Sequence, residues 1–234
     1  MAKTVLHKSA SRGDADHGWL HSHHTFSFAN YYNPERMHFG ALRVLNDDFV
    51  AAGMGFGTHP HDNMEIVSIP LEGDLEHKDS MGNVSVIKHG DVQVMSAGTG
   101  IAHSEFNRED EACELFQIWI YPDRNGLPPS WGTRPFPRGE RAGAFVTLAS
   151  GIEGDADALP IRANARLVAA TLSAGQVAQY PIAAGRKVYL VPATGRIEIG
   201  GVIASQGDGV AIRDETQLSV KALEDSEVVL MDVL

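Results

Sequence analysis

The chain has 234 residues, 43% of them hydrophobic, and a formal charge of −11 from 19 Lys and Arg against 30 Asp and Glu. That length makes one large domain or two small ones, the acidity argues against direct binding to nucleic acid or an anionic membrane, and no run of eighteen apolar residues exists to span a bilayer. One cysteine, Cys113, cannot form an internal disulfide, and the first eight residues lack the apolar stretch of a secretory signal, so a cytoplasmic protein is expected.

Histidine sets the N-terminal half apart, because all eleven precede residue 104. Through residue 133 there are nine basic and eighteen acidic residues, a net of −9; from 134 onward the net is −2. In chain order, His21-Ser22-His23-His24 comes first. His21 and His23 can share a strand face, but no carboxylate at matching spacing joins them, so no metal site is assigned there. His24 reads as a hydrogen-bonded packing residue, and His17, His38, His77 and His89 as solvated residues of turns or strand ends. Phe26, Phe28, Phe56 and Met95 read as core sooner than as the lining of a pocket. Residues 41–45 read as a strand, and Asn46-Asp47-Asp48 as the turn after it, its carboxylates capping backbone donors.

Further short runs rich in Val, Ile and aromatics, at 84–87, 115–120, 186–191 and 227–231, lie between Gly, Pro, Asn and Asp and read as strands. Strands at this spacing suggest a sandwich or barrel, and no long segment repeats every 3.6 residues. The expected class is all-β. Cys113 follows Glu109-Asp110-Glu111, whose charge raises a thiol's pKa and argues against a nucleophile. Residues 121–141 hold five prolines and three glycines and read as an extended connection. The domain boundary is placed there, giving 1–133 and 134–234. Ile69-Pro70-Leu71-Glu72-Gly73-Asp74-Leu75-Glu76 parallels Val191-Pro192-Ala193-Thr194-Gly195-Arg196-Ile197-Glu198, and His89-Gly90-Asp91 parallels Gln206-Gly207-Asp208. Two matches in the same order suggest two copies of one unit.

Two passages carry chemistry: Gly57-Thr58-His59-Pro60-His61-Asp62-Asn63-Met64-Glu65 and Gly98-Thr99-Gly100-Ile101-Ala102-His103-Ser104-Glu105. Residues i and i+2 of a strand face the same way. His59 with His61, and His103 with Glu105, can therefore bring three nitrogens and one carboxylate oxygen together inside a barrel. Such a set suits Fe(II), and also Mn, Co, Ni, Cu or Zn. Four protein ligands on an octahedral ion leave two open positions.

These passages resemble the two motifs of the cupin superfamily, and the pirin family within it. The likeness extends over Asp16-His17-Gly18-Trp19-Leu20, His24-Thr25-Phe26-Ser27-Phe28-Ala29-Asn30-Tyr31-Tyr32, Leu42-Arg43-Val44-Leu45-Asn46-Asp47-Asp48 and Met95-Ser96-Ala97-Gly98. It covers most of residues 12–133, with a looser match beyond. The resemblance implies a bicupin, two stacked jelly-roll β-barrels, with a single iron in the first. Some pirins are similar to quercetin 2,3-dioxygenase in activity, and mammalian members act as nuclear co-regulators. In the general cupin pattern a glutamate lies seven residues before the closing glycine; Glu65 lies eight before Gly73, where Ile66 takes the seventh place. A one-residue offset reverses the strand face, so Glu65 is expected to point away and Glu105 to be the fourth ligand, as in pirins. Ser96 replaces the proline of the second cupin motif, and two extra residues precede His103.

Carrying the first-half spacing across the repeat places Pro181 and Ala183 at the positions of His59 and His61, and Val220 and Ala222 at those of His103 and Glu105. The second half is expected to be a barrel without a metal. The resemblance implies a dioxygenase that takes a flavonol-like substrate and O2, with Glu105 as ligand and base, ring opening and release of carbon monoxide. The rival is a metal-dependent module that binds a basic protein partner without turnover; a metal-free structural bicupin would leave three converging imidazoles unused. A monomer is expected.

Overall fold

Short β-branched runs separated by glycine turns fold as the alternation dictates. The computed structural model describes residues 3–234, which contain strands and two single-turn 3-10 helices. The first half supplies β1 (Thr4–His7), β2 (Gly13–Asp16), β3 (Leu20–His24), β4 (Leu42–Val50), β5 (Gly55–His61), β6 (Glu65–Glu72), β7 (Leu75–Asp79), β8 (Val84–Ile87), β9 (Asp91–Ser96), β10 (Ile101–Phe106), β11 (Cys113–Ile120) and β12 (Ser130–Pro135). The second supplies β13 (Val146–Ser150), β14 (Leu159–Pro160), β15 (Arg166–Leu172), β16 (Val177–Pro181), β17 (Lys187–Thr194), β18 (Arg196–Ile199), β19 (Val202–Ser205), β20 (Gly209–Ile212), β21 (Gln217–Ala222) and β22 (Ser226–Val233). No helix among the described residues is long and apolar enough to cross a membrane.

Each barrel has one seven-stranded and one four-stranded sheet, and the two barrels share one topology. The small sheets run β5-β10-β7-β8 and β16-β21-β18-β19; the large ones contain β9-β6-β11-β4 and β20-β17-β22-β15 in matching order. The repeat read from Gly73 and Gly195 is therefore a structural duplication. Both glycines close the equivalent turn at φ 71° and 75°, a left-handed conformation that favours glycine. The chain is all-β, a bicupin of two stacked jelly-roll barrels.

The halves meet through the outer faces of their large sheets. Val67, Ile69, Phe116 and Ile118 pack in one continuous core with Leu167, Tyr189, Val229 and Met231. Two strands depart from the expected division. β12 pairs with β9 as an edge strand, so a boundary at 133/134 falls inside it, and the proline-rich connection is shorter than its composition suggested. Its one proline, Pro135, is tolerated because an edge needs donors on one side only. β1 pairs with β20 and so belongs to the second barrel's sheet.

The candidate metal centre

β5 and β10 pair antiparallel, with His59 opposite His103 and His61 opposite Ile101. Past His103 the register shifts, so that Glu105 faces Phe56. The extra residue lies on β5, in Gly57-Thr58, and a bulge of this kind re-aims the side chains beside it. The three imidazoles converge: ring centroids are 4.5 Å apart for His59 and His103, 4.8 Å for His59 and His61, and 5.0 Å for His61 and His103. One ring nitrogen from each lies within 4.8 Å of the others.

Their hydrogen bonding and, for His61 and His103, their protonation suit ligation. His59 Nδ1 donates to the Gly57 carbonyl at 2.8 Å, which leaves Nε2 with its lone pair free. Burial, with the other two imidazoles, lowers the His61 pKa to about 4; burial, with His59 and His77, lowers that of His103 to about 3. Both are neutral near pH 7. Neither ring nitrogen of buried His103 has a hydrogen-bond partner, an omission that asks for a ligand.

Glu105 is buried beside this group. Ser68 Oγ (3.1 Å) and Gln93 Nε2 (3.2 Å) donate to its Oε1, and Gln117 Nε2 donates to Oε2 at 3.0 Å. Its carboxylate clusters with His103 and His77, not with His59 and His61. The four expected residues thus fall into two groups that share His103. Glu65 belongs to neither: its Oε2 accepts from Ser96 Oγ at 2.6 Å and from the Arg162 backbone N–H at 3.0 Å.

A cavity of ≈ 440 Å³ opens at the three histidines. Trp119 stands edge-on to His61 and to Phe28, and Trp19 edge-on to Phe56. Phe28 lines this cavity, Phe56 both lines it and packs on the core cluster of Leu20, Val50 and Leu75, and Phe26 and Met95 are core. His24 is buried against Phe28, as packing required, but its Nδ1 is unpartnered, as are Asn46 Oδ1 and Trp119 Nε1.

Three expectations fail here. Asn46, Asp47 and Asp48 are not a turn but the buried middle of β4, with Asn46 and Asp48 facing the cavity. Burial, with Asp47 and Glu105 nearby, raises the Asp48 carboxyl to about 7 against the opposing Ser22 hydroxyl. His77 is fully buried rather than solvated: it stacks on Trp131 (13° between planes) and approaches Asp79 at 3.3 Å. Cross-strand register also corrects the second half. Carried from Gly73 and Gly195 through the ladders, Leu218 and Val220, not Val220 and Ala222, take the positions of His103 and Glu105, and Tyr180 and Ile182, not Pro181 and Ala183, those of His59 and His61. The loop before β17 (182–186) is longer than that before β6 (62–64), which displaced the count. His17, His38 and His89 are exposed, as expected. Cys113 is buried, and burial followed by Asp74, Glu105 and Glu114 raises its thiol to about 12.

Two family models match the chain: Pirin over residues 5–120 and the quercetinase C-terminal cupin domain over 147–233. A Pseudomonas aeruginosa protein whose name assigns quercetin 2,3-dioxygenase activity provisionally is 59% identical, over 94% of this chain and 95% of its own. An Escherichia coli protein named quercetin 2,3-dioxygenase is 46% identical over 97% of both. The nickel(II) complex of the bacterial pirin YhhW from Escherichia coli superposes with a TM-score of 0.93, at 45% identity over 98% of both chains.

Proposed function

The chain belongs to the pirin family, and from that premise we propose that it is a mononuclear metal dioxygenase of the quercetinase type. The observation that carries this reading is the convergence of His59, His61 and His103 on an aromatic cavity, with both nitrogens of His103 unpartnered. Three imidazoles beside a carboxylate fit one divalent ion. Fe(II) is our assignment, and Mn, Co, Ni, Cu or Zn satisfy the same donors; the YhhW complex holds nickel. When bound, the ion supplies Lewis acidity that lowers the pKa of a substrate hydroxyl, and open positions for substrate and dioxygen.

The chain's own residues do the rest. Glu105 completes the ligand set from beside His103 and accepts the proton of the flavonol hydroxyl, held in place by Ser68, Gln93 and Gln117. Phe28, Phe56 and Trp119 offer faces and edges to a flat ring system. His24 Nδ1, Asn46 Oδ1 and Trp119 Nε1 are left to bond its hydroxyls. The proposed reaction opens the central flavonol ring with dioxygen and releases carbon monoxide. The barrel up to about residue 133 carries this chemistry, and the barrel beyond it is a structural partner.

Purified protein loaded in turn with Fe(II), Mn, Co, Ni or Cu and mixed with quercetin tests the reading. Loss of flavonol absorbance with matching oxygen uptake is the expected result. Silence with every ion would overturn it and favour the metal-dependent protein-binding module instead.

A further inference from the structure

β2 and β3 form the edge hairpin of the first large sheet, with Asp14 opposite His23 and Asp16 opposite His21. Alternation divides β3 by face. Leu20, Ser22 and His24 line the cavity, while His21 and His23 stand on the other face. There Asp14 Oδ1 lies 2.7 Å from His21 Nε2 and 3.1 Å from His23 Nδ1, and the two rings are 4.5 Å apart. The carboxylate that sequence spacing failed to find comes from across the hairpin.

We infer that Asp14, His21 and His23 form a second divalent-metal site, suited to a borderline ion such as Zn(II), on the opposite face of the sheet from the cavity. Two imidazole nitrogens and a carboxylate oxygen are Zn(II) donors, and water fills the fourth place. Bonds of about 2.0–2.2 Å set neighbouring donors of a tetrahedron roughly 3.3 Å apart. The Asp14–His23 separation therefore needs to open by about 0.2 Å and the Asp14–His21 separation by about 0.6 Å. Half-exposed side chains allow that movement, since His21 is 46%, His23 27% and Asp14 63% accessible. The ion takes the place of the protons that Asp14 shares with the two rings. Phe49 flanks both imidazoles on the β4 side, with ring centroids 6.2 and 6.1 Å away. Arg12, the nearby cation, is neutralised by Asp47 at 3.0 Å. A bound ion ties β2 to β3 and so stiffens the wall that carries Ser22 and His24.

Stoichiometry tests this independently of any turnover. Chelator-stripped protein is equilibrated with Zn(II), desalted and analysed for metal. Two equivalents per chain are expected, falling to one in His61→Ala and to one in the double variant His21→Gln, His23→Gln. Glutamine keeps a hydrogen-bond donor toward Asp14 but ligates poorly, so the hairpin is retained. Combining all three substitutions should leave none. In the His61→Ala background, Co(II) should give the visible absorption of a tetrahedral site, and Asp14→Asn should abolish it. The inference is overturned if wild type holds one equivalent that His61→Ala removes, or if a second equivalent survives the double glutamine variant.

Discussion

The two barrels share a strand order and differ inside. Walking the paired ladders, Ser68, Gln93, Gln117, Asn46 and Asp48 of the first occupy the places of Leu190, Val210, Leu230, Val168 and Ala170 in the second. His103 and Glu105 correspond to Leu218 and Val220, and His77 to Ile199. The second interior is a closed apolar cluster, while the first buries a hydrogen-bonded polar network around a cavity. One fold thus tolerates either filling. Burying polar groups costs stability unless each finds a partner, a cost carried by the first interior and spared by the second.

The largest effects should come from removing what the second barrel lacks. His61→Ala and Glu105→Ala should each abolish quercetin turnover, beyond the roughly 10–100-fold that outer-shell changes cost; wild-type rates in either would remove the ligand assignment. Next, Leu230→Gln imports the first barrel's residue into the apolar interior. It should lower stability by about 2–4 kcal/mol in urea titrations while leaving turnover intact, because no partner awaits the amide. The reverse exchange, Gln117→Leu, deprives Glu105 Oε2 of its donor and should reduce metal affinity or turnover by about 10–100-fold with the fold unchanged.

Asp48 gives a smaller, pH-dependent signature. Its folded pKa of about 7 lies above the ordinary carboxyl value, so the fold favours the protonated form. That contribution is fully present below about pH 4 and is lost as pH rises through 7. Asp48→Asn should therefore gain about 1–3 kcal/mol on the metal-stripped wild type between pH 4 and pH 8, and a flat difference across that range would contradict the raised pKa. Smallest of all, alkylating reagents at pH 8 should leave native Cys113 unmodified, since its thiol is buried and protonated.

Strands and the histidine triad were legible because their signals are local. Alternation marks His59 with His61, and a strand of known polarity needs only pairing to add His103. Cross-strand chemistry was not. Asn46-Asp47-Asp48 has turn composition, and only burial within β4 reveals Asp48 as a cavity group. His77 looked solvated among polar neighbours, yet Trp131 from the distant edge strand covers it. Asp14 escaped notice for the same reason, since its partners lie across a hairpin. Polar residues inside apolar strands, such as Ser68 and Gln117, were a readable hint of the network that holds Glu105.

The pairing of β1 with β20 has a consequence for biosynthesis. Thr4–His7 leaves the ribosome some two hundred residues before the strand edge on which it docks. This strand is made early and seated late, a non-local closure that slows folding. Trimming it would leave the β20 edge open to pairing with other chains, so a fusion placed at the amino terminus must leave that strand free to thread home.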